Sequence, residues 1–134
     1  MLNKLNKRTR AGFTLVEIMI VVAIIALLAA IAVPGFLRAR KRSQASKVLN
    51  DLRLIDSAVD QYAIENNKKA NDTLSVAAWS QYMKGGTVLY STGSHPVYGS
   101  YGPQTVDVLP VVPTLAFNDL SDVAPSSFWT PYYR

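Results

Sequence analysis

Residues 12–17 read Gly-Phe-Thr-Leu-Val-Glu and open the one long apolar run of the chain. No side chain from residue 18 to residue 33 is polar, and the run continues to Leu37. A helix over residues 13–37 would be about 37 Å long, enough to cross the ~30 Å hydrocarbon core of a bilayer. Glu17 lies near its start, where an ionised carboxylate costs on the order of 2.5–3.5 kcal/mol. A partner for this charge is therefore expected.

The residues before the apolar run resemble the start of an export signal. Residues 1–12 are short, basic and free of acids. Ala30-Ile31-Ala32 has the A-x-A form of an ordinary signal-peptidase site, which would release a soluble secreted protein. The run is long for such a signal and carries Glu17 near its start, so a retained membrane span is favoured.

Composition excludes several classes of functional site. The chain of 134 residues is too short for more than one ordinary domain. It has no cysteine, so it has no disulfide, thiolate nucleophile or zinc-thiolate site. A single histidine, His95, cannot form a multi-histidine metal site. No glycine-rich phosphate loop or acid–base constellation is present, so we predict that the protein is not an enzyme and has no cofactor.

The basic residues flank the apolar run. The sequence pI of about 9.6 is typical of a nucleic-acid binder. However, eight of the 14 basic residues lie directly before or after the span: Lys4, Lys7, Arg8, Arg10, Arg38, Arg40, Lys41 and Arg42. This placement indicates a membrane segment with cationic ends, and no nucleic-acid partner is predicted.

An apolar stripe follows the span. Side chains recur at steps of three and four: Ala45, Val48, Leu52, Ile55, Val59 and Tyr62. The pattern predicts an amphipathic helix, so one helix would run over about residues 13–65, bent near Pro34 and Gly35. Asn66-Asn67 is a stop signal. We favour packing of the stripe on the protein's own domain over an intermolecular coiled coil.

The remaining residues predict small elements. A short helix is expected over residues 76–84, capped by Thr73 or Ser75. Strands are expected over residues 87–90 and 105–109, and near residues 111–112 and 115–117. The aromatic tail, residues 127–134, would cover the striped helix. The predicted fold class is α+β, a long N-terminal helix packed against a small antiparallel β-sheet.

Gly12 to Ile18, after a basic leader and before a span ending in Val33-Pro34, strongly resembles the signature of type IV prepilins. That family comprises type IV pilins and the pseudopilins of type II secretion systems. The resemblance implies three parts: a leader (1–12), a transmembrane assembly helix (13–37) and a periplasmic pilin-like domain (38–134). A prepilin peptidase would cut between Gly12 and Phe13 and methylate the new amine of Phe13.

The resemblance also implies what the mature chain does. Glu17 would meet the Phe13 amine of a neighbouring copy and fix the register of a growing filament. The protein would wait in the inner membrane as a single-pass subunit, then polymerise with copies of itself and with minor pilins or pseudopilins on an inner-membrane assembly platform.

The resemblance leaves the system open. A type II secretion major pseudopilin is favoured by the absence of cysteine and the short globular part. A type IV pilus subunit, serving adhesion, motility or DNA uptake, is the alternative, and a soluble secreted binding protein is the remote one. Major pseudopilins often bind calcium in the C-terminal loops, which makes Asp107, Asp119 and Asp122 candidate ligands.

Overall fold

The computed structural model describes residues 11–133. The predicted leader residues 1–10, with Lys4, Lys7, Arg8 and Arg10, and the last residue of the tail lie outside the described residues. The chain divides after Leu37 into two units. The fold class is α+β, as predicted, with a long N-terminal helix and small antiparallel sheets.

Helix α1 spans Leu15–Glu65 and is continuous through Pro34 and Gly35. It begins two residues later than predicted. It ends where the sequence indicates: the N–H of Lys68 donates to the carbonyl of Ala63 at 2.9 Å, and Asn67 adopts a left-handed φ of 50°. This is the hydrogen-bond pattern of a Schellman-type helix end. A bend at Pro34 stays a prediction.

The predicted stripe forms the core of the second unit. Ala45, Val48 and Leu52 are fully buried in one cluster, together with Trp129 and other residues of the C-terminal half. Ile55 and Val59 belong to a second cluster; its other main members are Ala58, Ala63, Leu74, Trp79, Met83, Leu89 and Val106. Packing of the stripe on its own domain is therefore confirmed.

The strands are shorter than predicted and form two sheets of two strands each. Strands β1 (Thr73–Leu74) and β4 (Gln104–Thr105) pair antiparallel, with Thr73 opposite Thr105. Strands β2 (Ser94–His95) and β3 (Gly99–Ser100) form the second antiparallel pair. The predicted strand over residues 105–109 is wrong beyond Thr105, because Asp107 adopts a left-handed φ of 59° that turns the chain.

Two predicted strands are helices instead. A strand is predicted over residues 87–90, but Thr87 caps helix α3 (Val88–Thr92), and its Oγ1 accepts the N–H of Tyr90 at 3.2 Å. Gly93 ends α3 in a left-handed conformation, and a Cβ there would collide with the side chain of Val76. Capping at both ends outweighs local strand propensity.

The other misassigned strand, residues 115–117, lies in helix α4 (Thr114–Asp119), which follows Pro113 and buries Ala116. Residues 111–112 form no strand; the N–H of Val112 donates to the carbonyl of Tyr132 in the tail. Helix α2 (Val76–Ser80) follows Ser75 and is shorter than predicted.

The aromatic tail closes one end of this core, as predicted for the residues described. A 3₁₀ turn, Ser126–Trp129, buries Trp129 completely, and its indole N–H donates to the carbonyl of Ala124 at 3.2 Å. Phe128 packs against Trp129 edge-on, with ring centroids 5.1 Å apart. Tyr132 is also buried in this cluster.

Candidate functional site

The segment around Gly12 and Phe13 is an exposed, non-helical lead into α1. Residues 11–14 form no regular structure, and all are exposed. Apart from Gly12 and its two chain neighbours, no described residue has an atom within 4 Å of the position a Cβ would take on Gly12, and Phe13 is 87% exposed. The Gly12–Phe13 bond therefore lies on open backbone immediately before a helix.

Thr14 and Glu17 form a reciprocal capping box at the start of α1. The N–H of Thr14 donates to Oε2 of Glu17 at 2.7 Å, and the N–H of Glu17 donates to Oγ1 of Thr14 at 3.2 Å. Two N–H groups at the open end of the helix are satisfied in this way. Sequence reasoning assigned Glu17 but missed Thr14, although Thr-Leu-Val-Glu matches the S/T-x-x-E pattern of such boxes.

The first turns of α1 present an apolar surface that the described chain leaves uncovered. Every residue from 15 to 37 is exposed. Within the described residues, α1 is the one helix long and apolar enough to cross a membrane, and none of the residues in its apolar window is buried. Its only charge is Glu17. The surface therefore needs lipid, or other protein, around it.

The basic cluster after the span divides into two groups. Lys41 points to the C-terminal loop, where its Nζ donates to the carbonyl of Asp119 at 2.9 Å and to Oδ1 of Asp122 at 3.2 Å. Arg38, Arg40 and Arg42 are exposed, with no ion pair to any residue in the range 11–133. The role of this cluster as a cationic membrane end stays a prediction, and Lys41 differs from the three arginines in having partners within the domain.

The calcium candidates are not gathered into a metal site. Asp119 and Asp122 both face Lys41, whose Nζ lies 3.9 and 3.2 Å from their Oδ1 atoms. Asp107 lies in the turn after strand β4. Across residues 11–133, no three His, Cys, Asp or Glu side chains come together as metal ligands. Calcium binding by this trio stays a prediction.

A second polar cluster lies inside the domain. Asp51, on helix α1, is only 7% exposed and accepts the phenol hydroxyl of Tyr101 at 3.0 Å. Burial raises the pKa of the Asp51 carboxyl, and the Tyr101 hydrogen bond partly offsets that rise. Burial and the adjacent carboxylate raise the pKa of Tyr101. The pair is a satisfied buried contact.

His95, in strand β2, is 3% exposed. Its Nδ1 accepts the N–H groups of Val97 and Tyr98 at 3.1 and 3.4 Å. Its Nε2 has no partner among the described residues. Burial lowers the pKa of His95, while the charge of Asp51 partly offsets that effect. The neutral ring is therefore the form that this site favours.

Comparison with known proteins identifies the N-terminal segment. Residues 7–33 match the model of the prokaryotic N-terminal methylation motif. The chain is 33% identical over 64 residues to the type II secretion system core protein G of Aeromonas hydrophila, a match covering 48% of this chain and 45% of that protein. No solved structure matches the chain.

Pilins are also among the relatives. The type IV major pilin protein of Myxococcus xanthus is 42% identical over 66 residues, covering 49% of this chain and 30% of the pilin. Fimbrial protein Q of Moraxella bovis is 45% identical over 67 residues, covering 46% and 43%. The chain thus spans less than half the length of the curated relatives it matches. The similarity to both groups of relatives extends over about half of this chain and accompanies the methylation motif at residues 7–33.

Proposed function

We propose that this chain is a structural subunit that is inserted in the inner membrane, loses its leader between Gly12 and Phe13, and polymerises into a pilus-like helical filament. The filament we favour is the pseudopilus of a type II secretion system, with this chain as its major subunit. The mature chain would then begin at an N-methylated Phe13.

One observation carries the proposal: a methylation motif leads into a helix whose apolar surface is uncovered and holds a single acid. The motif covers residues 7–33. Every side chain from 15 to 37 is exposed. Such a surface is stable in lipid, and it is equally able to pack against identical helices.

Glu17 supplies the specificity that an apolar surface lacks. Cleavage of the Gly12–Phe13 bond creates a cationic amine one turn before Glu17. Pairing of that amine with Glu17 of a neighbouring copy satisfies both charges, whereas a wrong register leaves each of them unpaired in apolar surroundings. Glu17 can accept a second donor because a carboxylate offers about four acceptor sites, of which Thr14 uses one.

The partners follow from this role. A membrane-embedded prepilin peptidase would cut and methylate the chain, and an inner-membrane platform would drive assembly with minor pseudopilins. Residues 38–134 would lie in the periplasm. The basic residues flank both ends of the span, so the family resemblance, and not charge asymmetry, supports this orientation.

A type IV pilus is the second candidate. The relatives named as pilin or fimbrial proteins, at 42% and 45% identity, favour it. The relatives named core protein G and the absence of any cysteine favour the pseudopilus. Deletion of the gene distinguishes them: loss of protein export supports the pseudopilus, while loss of surface pili with normal export supports the pilus.

Mass spectrometry of the subunit extracted from membranes tests the common part of the proposal. We expect a chain that starts at Phe13 and carries one added methyl group. A mature chain starting at Val33, after the Ala30-Ile31-Ala32 site, would show that the segment is an ordinary signal peptide and would overturn the filament assignment.

A further inference from the structure

Thr14 ends helix α1 on the side of the Gly12–Phe13 bond. Residues 11–14 are non-helical, and the carbonyl of Thr14 accepts the N–H of Ile18 at 3.4 Å. Its hydroxyl accepts the N–H of Glu17, and its own N–H donates to the Glu17 carboxylate. An N-cap residue combines these three properties: non-helical backbone, a carbonyl in the helical ladder and a side-chain acceptor.

We propose that Thr14 is a positioning residue for leader removal. The capping box holds the Gly12–Phe13 bond in non-helical backbone, where a peptidase can reach the carbonyl of Gly12. The inference rests on the proposed function, because it assumes that this bond is the one cleaved. In that step water adds across the bond, the Gly12 carbonyl becomes a carboxylate, and Phe13 leaves as an amine.

The reason lies in the unsatisfied N–H groups at a helix start. Without the Thr14 hydroxyl, the N–H of Glu17 needs another acceptor, and water is scarce at the edge of an apolar segment. The nearest acceptors are the carbonyls of the preceding residues, which are used when the helix extends toward its N-terminus. Such an extension draws Phe13 and then Gly12 into helical backbone.

A helical bond is a poor peptidase substrate. Its carbonyl accepts an intrahelical hydrogen bond and is crowded by neighbouring turns, whereas recognition sites typically bind extended backbone. The extended fraction of the precursor therefore sets its apparent affinity for the enzyme. A lower fraction raises the apparent KM, and kcat at saturation is unchanged because the bound complex is the same.

The test uses the full-length precursor in liposomes with a purified prepilin peptidase. Thr14→Val keeps the shape of the side chain but removes the acceptor, whereas Thr14→Ser and Thr14→Asn are both good caps. Thr114→Val is the matched control, since Thr114 is also exposed and its side chain makes no hydrogen bond within residues 11–133. Initial cleavage rates over a range of precursor concentrations give KM and kcat separately.

We expect Thr14→Val to raise KM by up to about threefold with kcat unchanged, because loss of an N-cap shifts the helix–extended equilibrium about fivefold from a mainly extended wild-type state. Ser and Asn should restore the wild-type KM, and Thr114→Val should match wild type. The backbone ¹³Cα shifts of labelled Gly12 and Phe13 should move toward helical values in Thr14→Val alone. These shifts report on the capping box without involving the enzyme.

Three results would overturn the inference. The first is cleavage of Thr14→Val with the wild-type KM, and the second is an absence of any helical change in its Gly12 and Phe13 shifts. The third is restoration of the wild-type KM by Thr14→Ser but not by Thr14→Asn, which would show that the peptidase recognises the hydroxyl itself. If instead the wild-type precursor is not cut between Gly12 and Phe13, the proposed function fails, and the two failures are distinguishable.

Discussion

Residues 15–37 and residues 38–133 use apolar side chains in opposite ways. In the first region every side chain is exposed, although the segment is the most apolar in the chain. In the second, most of the stripe on α1 is buried by the same domain, and two tryptophans, Trp79 and Trp129, are fully buried. The second region supplies its own interior, so its stability is intramolecular. The first depends on what surrounds it.

The largest expected effect is that of Glu17→Leu on the first region. We expect filament formation to fall at least ~100-fold, because an amine left unpaired in an apolar interior costs about 3–5 kcal/mol. The N–H of residue 17 can still bond Thr14, so the cleaved subunit should accumulate. Quantification of sheared filaments by immunoblot measures the loss. Normal filament yield would show that Glu17 does not set the register.

Trp129→Ala tests the second region. Removing a fully buried indole should lower the free energy of unfolding of this region by about 3–5 kcal/mol. Urea denaturation of the full-length protein in detergent, followed by the fluorescence of Trp79, measures it. Val97→Ala, at an exposed site, is the control and should change little. An equal effect of both variants would contradict a self-sufficient core.

Tyr101→Phe tests the buried Asp51 pair. Loss of the phenol should cost about 1–3 kcal/mol at pH 7, because it leaves the carboxylate unsatisfied. The pKa of Asp51 is already raised in the fold, so the folded state takes up the proton first, and the loss should shrink as pH falls toward 3.8. Tyr90→Phe, at an exposed tyrosine, serves as control. A pH-independent loss would indicate a packing role alone.

For His95 we expect an effect on the free energy of unfolding that grows, and does not shrink, as the pH is lowered. Its pKa is lowered in the fold, so below about pH 6.5 the unfolded chain binds a proton that the folded chain excludes. The free energy of unfolding should therefore decrease as the pH is lowered through that range, by no more than about 1.4 kcal/mol per pH unit. His95→Asn keeps an acceptor in place of Nδ1 and should flatten this slope. An unchanged slope would assign the pH dependence to other groups.

Lys41→Met should give the smallest effect. Lys41 and its partners Asp119 and Asp122 are partly solvated, so we expect a loss below about 1 kcal/mol that decreases at high salt. Arg40→Met has no ion pair to lose among residues 11–133 and serves as the matched control. A loss of several kcal/mol that is insensitive to salt would show that this ion pair is a main attachment of the C-terminal loop.

Long periodic signals made much of this architecture predictable. The stripe from Ala45 to Tyr62 and the Asn66-Asn67 stop hold enough local information to define α1 and its buried face. Lys41 lies four residues before Ala45, so it starts the same stripe. Charge alone groups Lys41 with the arginines, so its contact with Asp119 and Asp122 was not predicted.

The elements after residue 72 could not be predicted in the same way. Each strand is two residues long, and its pairing depends on contacts distant in sequence, such as Thr73 with Thr105. Local propensity favours strands at Thr87 and Leu115. Capping by Thr87 and the position of Leu115 just after Pro113 instead favour helices α3 and α4. In the candidate site, Gly12, Phe13 and Glu17 were predicted from the motif, and Thr14 was detectable from the capping pattern.

For residues 15–37, lipid tails and the apolar side chains of a second copy are surroundings of almost the same polarity. In the proposed assembly, moving a subunit from the bilayer to the filament transfers no apolar area out of water, so the hydrophobic effect contributes little to the exchange. Side-chain packing and one ion pair therefore determine whether the bilayer or the filament is favoured. We therefore expect filament and membrane to be nearly isoenergetic reservoirs of subunits, between which a modest input of work moves the chain either way.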